Sequence, residues 1–221
     1  MAIAVKICGI TTPDAANAAV AAGAIYGGLV FHPKSPRNLD IERAATLARL
    51  MRGKLKVVTL LADPSDEQLA AVTGQVAPDF LQLHGGESAR RVAYVRAKFN
   101  TPVIKAVAVA EASDLAAAAE YENVADLLMF DARAPKGAER PGGHGAAFDW
   151  KILAGRSFNK PWFLAGGLDP ENVARAIELS GAEMVDVSSG VESAPGIKDP
   201  ARIQSFITAA RHPALLSKQS A

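Results

Sequence analysis

The sequence predicts an α/β fold, a (β/α)8 TIM barrel formed as one domain over residues 1–221, with a short tail after about residue 212. Three observations carry that prediction. Short apolar runs alternate with alanine-rich amphipathic segments from one end of the chain to the other, and no Ser/Gly-rich or single-charge stretch marks a linker. The runs are mostly continuous rather than cleanly alternating, as in strands buried on both faces of a parallel sheet. Eight strand-helix units of roughly 27 residues each account for the length, within the range of about 200 to 250 residues for a compact barrel. An open doubly wound sheet is the alternative, but no strand is followed by the spaced glycines of a dinucleotide-binding loop.

Taken in order, the runs are AVKIC (4–8), IYGGLVF (25–31), KVVTLL (56–61), DFLQLH (79–84), VIKAVAV (103–109), DLLMFD (126–131), WFLAG (162–166) and EMVDVS (183–188). The helix starts between them share a device. Thr12-Pro13, Asp63-Pro64, Asp169-Pro170 and Asp199-Pro200 each set a capping side chain ahead of a proline suited to the first helical position. Gly23 and Gly181 fall where the helices after the first and seventh strands need a left-handed stop.

Composition excludes several classes of function. Lys and Arg number 24 against 23 Asp and Glu, so a formal net charge of +1 gives no reason to expect nucleic acid as a partner. An anionic small molecule is then held by local groups. The lone cysteine cannot form an internal disulfide, the N-terminal MAIAVKICGI has a lysine within its apolar stretch, and no apolar run approaches the ~20 residues of a membrane span. The chain therefore reads as soluble and cytoplasmic, with no membrane partner. Four histidines and one cysteine form no zinc pattern, and His32 has no partner at ligand spacing, so no metal is expected.

In a parallel barrel, side chains two apart on a strand share a face, and the C-terminal strand ends carry the chemistry. Lys6 and Cys8 share a parity on the first strand, Gln82 and His84 on the fourth, and Asp186 and Ser188 on the eighth; Asp131 ends the sixth and Lys105 lies within the fifth. Each could be satisfied locally by a turn or a cap. Cys8 is either a small buried hydrophobe or a general base or nucleophile, its thiol lowered toward the thiolate by the Lys6 ammonium on the same face. Asp131 either ties down the following loop or is an acid kept protonated by the apolar LLMF before it.

Two adjacent loops suggest a phosphate site. Gly166 and Gly167 follow the seventh strand directly, and Ser188, Ser189 and Gly190 follow the eighth; the corresponding loops of such barrels commonly cradle a phosphate with uncovered backbone amides. Two ordinary turns would explain either loop alone. The glycine-rich stretch after the sixth strand is long enough for a lid, and His144 within it reads as solvated. Arg37 is either a surface charge or a guanidinium placed to grip a carboxylate in a bidentate pair.

The segments KICGIT, FHPKSPR, LQLHGGE, FDAR, GGHGAAFDW, FLAGGLDPENV and VDVSSGVESAPGIKD, in that order from residue 5 to about 207, resemble the phosphoribosylanthranilate isomerases of tryptophan (aromatic amino-acid) biosynthesis. The resemblance implies an Amadori rearrangement of N-(5-phosphoribosyl)anthranilate, with Cys8 as general base and Asp131 as general acid. It also implies that Arg37 grips the anthranilate carboxylate and that Gly166, Gly167, Ser188, Ser189 and Gly190 form the phosphate site. His84 and Asp186 would position the machinery or bond the substrate. The substrate's own iminium is the electron sink, so no cofactor is implied. The stretch 134–140 and the tail after His212 have no counterpart in the resemblance, and monomer and homodimer stay open. Two rivals remain: a phosphosugar aldolase or lyase using Lys105 as a Schiff-base amine inside the barrel, with a borohydride-trappable adduct, and a phosphate-binding barrel without turnover.

Overall fold

Eight parallel strands close on one another in chain order in the computed structural model, which describes residues 3–133 and 147–211. The strands are β1 (Ala4–Cys8), β2 (Tyr26–Phe31), β3 (Lys56–Leu61), β4 (Phe80–Leu83), β5 (Val103–Val109), β6 (Leu127–Ala132), β7 (Trp162–Leu164) and β8 (Met184–Val187). Each falls on one of the eight apolar runs. Closure is made by β8 against β1, in a register that sets Lys6 opposite Asp186 and Ile7 opposite Val187.

Strand parity sorts side chains into two layers. Val58, Ile104, Ala106, Leu127, Met129, Phe163 and Met184 cluster with Ala4, Tyr26 and Phe80, so all eight strands contribute to one apolar group, the barrel interior. Tyr26 meets Phe163 edge-on at 5.2 Å and Phe80 at 6.0 Å, filling that space with rings. Residues of opposite parity pack in a larger core between the strands and the helices. The inward rows end, toward the strands' C-terminal side, in polar groups: Lys6 and Cys8 on β1, Gln82 then His84 on β4, Asp131 on β6, and Asp186 then Ser188 on β8.

The helices are α1 (Pro13–Ala22), α2 (Ile41–Met51), α3 (Asp66–Gln75), α4 (Ala89–Phe99), α5 (Ala118–Tyr121), α6 (Val173–Ser180) and α7 (Pro200–Arg211). Thr12 caps α1 by accepting from the Ala15 amide at 3.2 Å, and Asp199 accepts from Ala201 and Arg202 at the start of α7. Gly23 and Gly181 end their helices in the left-handed region, at φ of 84° and 73°. Asp169 bonds the amides of Glu171 and Asn172 in the turn that leads into α6, one turn earlier than a true cap.

The Asp63-Pro64 device is corrected. Ser65 caps α3 through the Gln68 amide, while Asp63, at a φ of 47°, donates its own N–H to Glu87. Glu87 is drawn there because it pairs with Lys105 at 2.8 Å and accepts from the Gly85 amide. The helical ring also thins beyond β5: a 3₁₀ turn (Ala112–Ala117) precedes the one-turn α5, and among the described residues only a 3₁₀ turn (Trp150–Leu153) lies between β6 and β7. The stretch 134–140, His144 and the tail after His212 lie outside the described residues. Among those described, no helix is long and apolar enough to cross a membrane.

Candidate active site

Lys6 is fully buried and holds the Asp186 carboxylate at 2.8 Å. The pair exists because β8 closes on β1 with these two residues in register, both facing inward. Burial alone pulls the Lys6 ammonium down, but Asp186 and then Cys8 more than offset it, and the net direction is upward. Removing one partner leaves the other buried and unpaired, which is the costly way to break such a pair. Lys6→Met is therefore expected to lower unfolding stability by about 3–5 kcal/mol, read from urea melts at neutral pH. A loss below about 1 kcal/mol would mean that Asp186 finds water or another partner.

Cys8 ends β1 at 4% exposure. A Cβ on Gly28, across the β1–β2 ladder, would come within 3.0 Å of its sulfur and 3.2 Å of Lys6 Nζ, so the bare glycine leaves these two groups their space. The expectation that Lys6 holds the thiol low is corrected. Burial pushes the Cys8 thiol up, Lys6 and Lys198 pull it down, and the Asp186 carboxylate pushes it up again, leaving it above the ordinary range. Lys6 cannot act as a bare cation because Asp186 neutralises it.

Asp131, 7% exposed, accepts from the Ala132 amide at 2.9 Å through Oδ1 and meets His84 Nε2 at 3.0 Å through Oδ2. His84 stands at the mouth of β4, and its other ring nitrogen, Nδ1, lies 2.9 Å from Gln82 Nε2. Cys8, Asp131, His84 and Asp186 thus all belong to inward rows at one end of one barrel.

Arg37 is 4% exposed, which removes the surface-charge reading. Its guanidinium is already forked onto a carboxylate, but one from this chain: Nε to Glu192 Oε1 at 2.7 Å and Nη2 to Oε2 at 2.8 Å. Glu192 leaves only the end of the guanidinium, Nη1 and the second hydrogen of Nη2, for any further carboxylate. Glu192 also binds Lys198 at 2.6 Å, and Lys198 donates to the Ser188 carbonyl at 3.0 Å. Burial raises Glu192, and its two cations more than reverse that, holding its carboxyl below the usual range. Burial depresses Lys198. Glu192 and Lys198 stand on the hairpin β9 (Glu192–Ala194) and β10 (Ile197–Lys198), which the strand reading missed. Pro195-Gly196 inside VESAPGIKD was the available turn signal.

The loops after β7 and β8 touch. A Cβ on Gly190 would overlap the Leu168 carbonyl oxygen and come within 2.9 Å of Asp169 Cα, so only glycine lets the two backbones approach so closely. Gly166 and Gly167 lie in the left-handed region, and the Gly167 carbonyl is tied by Asn172 at 2.8 Å. Ser188 donates its hydroxyl to the Cys8 carbonyl at 3.1 Å, joining this loop to the end of β1, and Ser189 and Gly190 form a 3₁₀ turn with Val191. Arg202 holds the Gly190 carbonyl at 3.0 Å.

Lys105 is placed differently from its sequence expectation. Ile104 and Ala106 face the interior, so Lys105 points outward, into the layer between strands and helices, where it is saturated by Glu87 and the Gly85 carbonyl at 2.7 Å. An amine so placed cannot reach a sugar in the barrel mouth. Among the described residues, no three His, Cys, Asp or Glu side chains are grouped so as to hold a metal ion.

A family model for N-(5'phosphoribosyl)anthranilate (PRA) isomerase matches residues 5–209. A curated N-(5'-phosphoribosyl)anthranilate isomerase of Paramagnetospirillum magneticum is 54% identical over 211 residues, covering 96% of this chain and 98% of its own. One from Paracoccus denitrificans is also 54% identical, over 97% of this chain and all of its own. Among solved structures, the phosphoribosyl anthranilate isomerase of Thermotoga maritima superimposes with a TM-score of 0.85 at 36% identity, covering 94% of this chain and 98% of that one. A second isomerase structure, in complex with reduced 1-(o-carboxyphenylamino)-1-deoxyribulose 5-phosphate, gives a TM-score of 0.82 at 32% identity over the same shares of the two chains.

Proposed function

The chain belongs to the N-(5'-phosphoribosyl)anthranilate isomerase family, and we propose that Asp131 and Cys8 perform that family's rearrangement as acid and base. The enzyme converts N-(5'-phosphoribosyl)anthranilate to 1-(2-carboxyphenylamino)-1-deoxyribulose 5-phosphate in tryptophan biosynthesis, within one molecule. The observation that carries the assignment of roles is the arrangement of the barrel mouth: a hydrogen-bonded carboxyl and a thiol on the inward rows of β6 and β1.

Asp131 gives its proton to the furanose ring oxygen. The C1–O bond breaks toward that oxygen, the anthranilate nitrogen supplies its lone pair, and an iminium forms at C1. The Cys8 thiolate then takes the proton from C2, and the C–H electrons close a C1–C2 double bond as the nitrogen becomes neutral. Protonation of C1 and loss of the C2 hydroxyl proton give the ketone, and exchange through water moves the proton now on Cys8 back to Asp131, which resets both groups. Because burial raises the thiol, the reacting fraction is the enzyme whose Cys8 has already lost its proton to solvent. Arg37 receives the anthranilate carboxylate on the end that Glu192 leaves open. The loops joined at Gly190 receive the 5' phosphate on backbone amides. Asp186, held by Lys6, faces the sugar hydroxyls from β8.

Purified protein supplied with N-(5'-phosphoribosyl)anthranilate should convert it without added metal or cofactor; phosphate binding without turnover would return the non-catalytic reading. The aldolase reading loses its support with the outward placement of Lys105. Gly190→Ala should push the two loops apart and raise KM and the inhibition constant of inorganic phosphate about 10- to 100-fold, the loss of one or two charge-assisted hydrogen bonds. Unchanged phosphate inhibition would move the anion elsewhere. A solved T. maritima structure is of monomers of a dimeric isomerase; light scattering on this chain decides between one copy and two.

A further inference from the structure

We propose that Gln82 is a positioning residue for this reaction: its side-chain amide fixes His84 as the tautomer protonated on Nε2, so that Asp131 meets a donor. The inference rests on the reading of Asp131 as the acid and adds a residue to it. Gln82 is 0% exposed, inside the barrel, two residues before His84 on the same inward row of β4. Its Nε2 lies 2.9 Å from His84 Nδ1 and 3.2 Å from Met129 Sδ, while its Oε1 is buried with no partner among the described residues.

The Met129 sulfur orients the amide. As it stands, both N–H groups of Gln82 have acceptors, an imidazole nitrogen and a thioether, and one carbonyl oxygen goes without. Turned over, the oxygen could accept from His84 only in the tautomer protonated on Nδ1, and it would also lie 3.2 Å from the Met129 sulfur, which has no hydrogen to give. A thioether accepts weakly from an N–H and repels a carbonyl oxygen, so the amide nitrogen belongs on the side of Met129 and His84. With Gln82 donating, Nδ1 must carry the lone pair and Nε2 the hydrogen, which His84 then donates to Asp131 Oδ2 at 3.0 Å. The Ala132 amide already donates to Oδ1 at 2.9 Å. Both oxygens are thus provided with donors before the proton leaves, and the carboxylate formed on ring opening needs no reorganisation around it. A buried amide with an unpaired oxygen is a poor way to fill a core, and a leucine or methionine would pack there at less cost.

The test is the tautomer of His84, read from side-chain ¹⁵N shifts of the wild-type protein, together with the kinetics of Gln82→Met, which keeps the length and volume of the side chain. The expected result is a protonated Nε2 and a bare Nδ1 in the wild type. In Gln82→Met, that pattern gives way to a mixture, and kcat falls about tenfold with KM and phosphate inhibition unchanged. A wild-type His84 protonated on Nδ1 overturns the proposal without any variant. So does a Gln82→Met enzyme whose kcat is normal. Neither result touches the role of Asp131, which fails separately if Asp131→Asn remains active.

Discussion

Asp131→Asn should lower kcat for N-(5'-phosphoribosyl)anthranilate by at least about 10²-fold while leaving KM close to that of the wild type. The substitution is nearly isosteric, and its one amide oxygen can still accept from His84, which holds Asp131 Oδ2 at 3.0 Å, with loss of the bond from the Ala132 amide to Oδ1. What it removes is an O–H able to surrender a proton to the ring oxygen, so the loss falls on the first bond-breaking step. The contacts proposed for the substrate's two anionic ends, at Arg37 and at the β7 and β8 loops, are untouched by it. An interaction made only as the ring opens shows in kcat and kcat/KM together. Inorganic phosphate supplies the control, since its inhibition constant should not change. Near-normal turnover of the Asn enzyme would end the assignment of Asp131 as acid.

Cys8→Ser should be at least as severe, again about 10²-fold or more in kcat. A serine hydroxyl fills the site, but its alkoxide is inaccessible near neutrality, so abstraction of the C2 proton stalls after ring opening. The step is identified by deuterium at C2, which should slow the wild-type enzyme. The pH dependence follows from the direction of the thiol's displacement. Burial first, and Asp186 in addition, raise Cys8, outweighing Lys6 and Lys198. A base held above its ordinary range is mostly protonated at neutral pH, and its active fraction climbs as pH rises. On C2-deuterated substrate, kcat/KM should therefore increase from neutral into the alkaline range, and that limb should vanish in Cys8→Ser. A wild-type profile already flat at neutral pH would show that the free enzyme carries a thiolate.

Much of the frame was legible without coordinates, for reasons that differ by element. The apolar runs marked all eight strands because strands buried on two faces need continuous hydrophobicity. Thr12 and Asp199, with prolines next to them, are capping signals complete within four residues. Asp63-Pro64 carried the same signal and misled, since Ser65 takes the cap and Asp63 is held in the left-handed region, where its N–H goes to Glu87 of a different loop. The β9–β10 hairpin escaped because its strands are three and two residues long, too short for periodicity, although Pro195-Gly196 marked the turn. Glu192 and Lys198 went unremarked with it. Gln82 was visible as a polar residue on the inward row, but nothing in LQLH tells which of its amide atoms finds a partner.

Chain-local information, run length, parity and caps, was enough to say that Cys8, His84, Asp131 and Asp186 line one end of a closed sheet. It could not say what each of them touches. Lys6 meets Asp186, and Ser188 meets Cys8, across 180 residues of chain; Arg37 meets Glu192 across 155. Such pairings follow from barrel closure and from the register of β8 on β1, which no short window of residues contains. This is why the thiol's displacement went opposite to expectation: the nearest cation was readable two positions away, whereas its neutralising carboxylate and the surrounding exclusion of water exist only once the chain has folded.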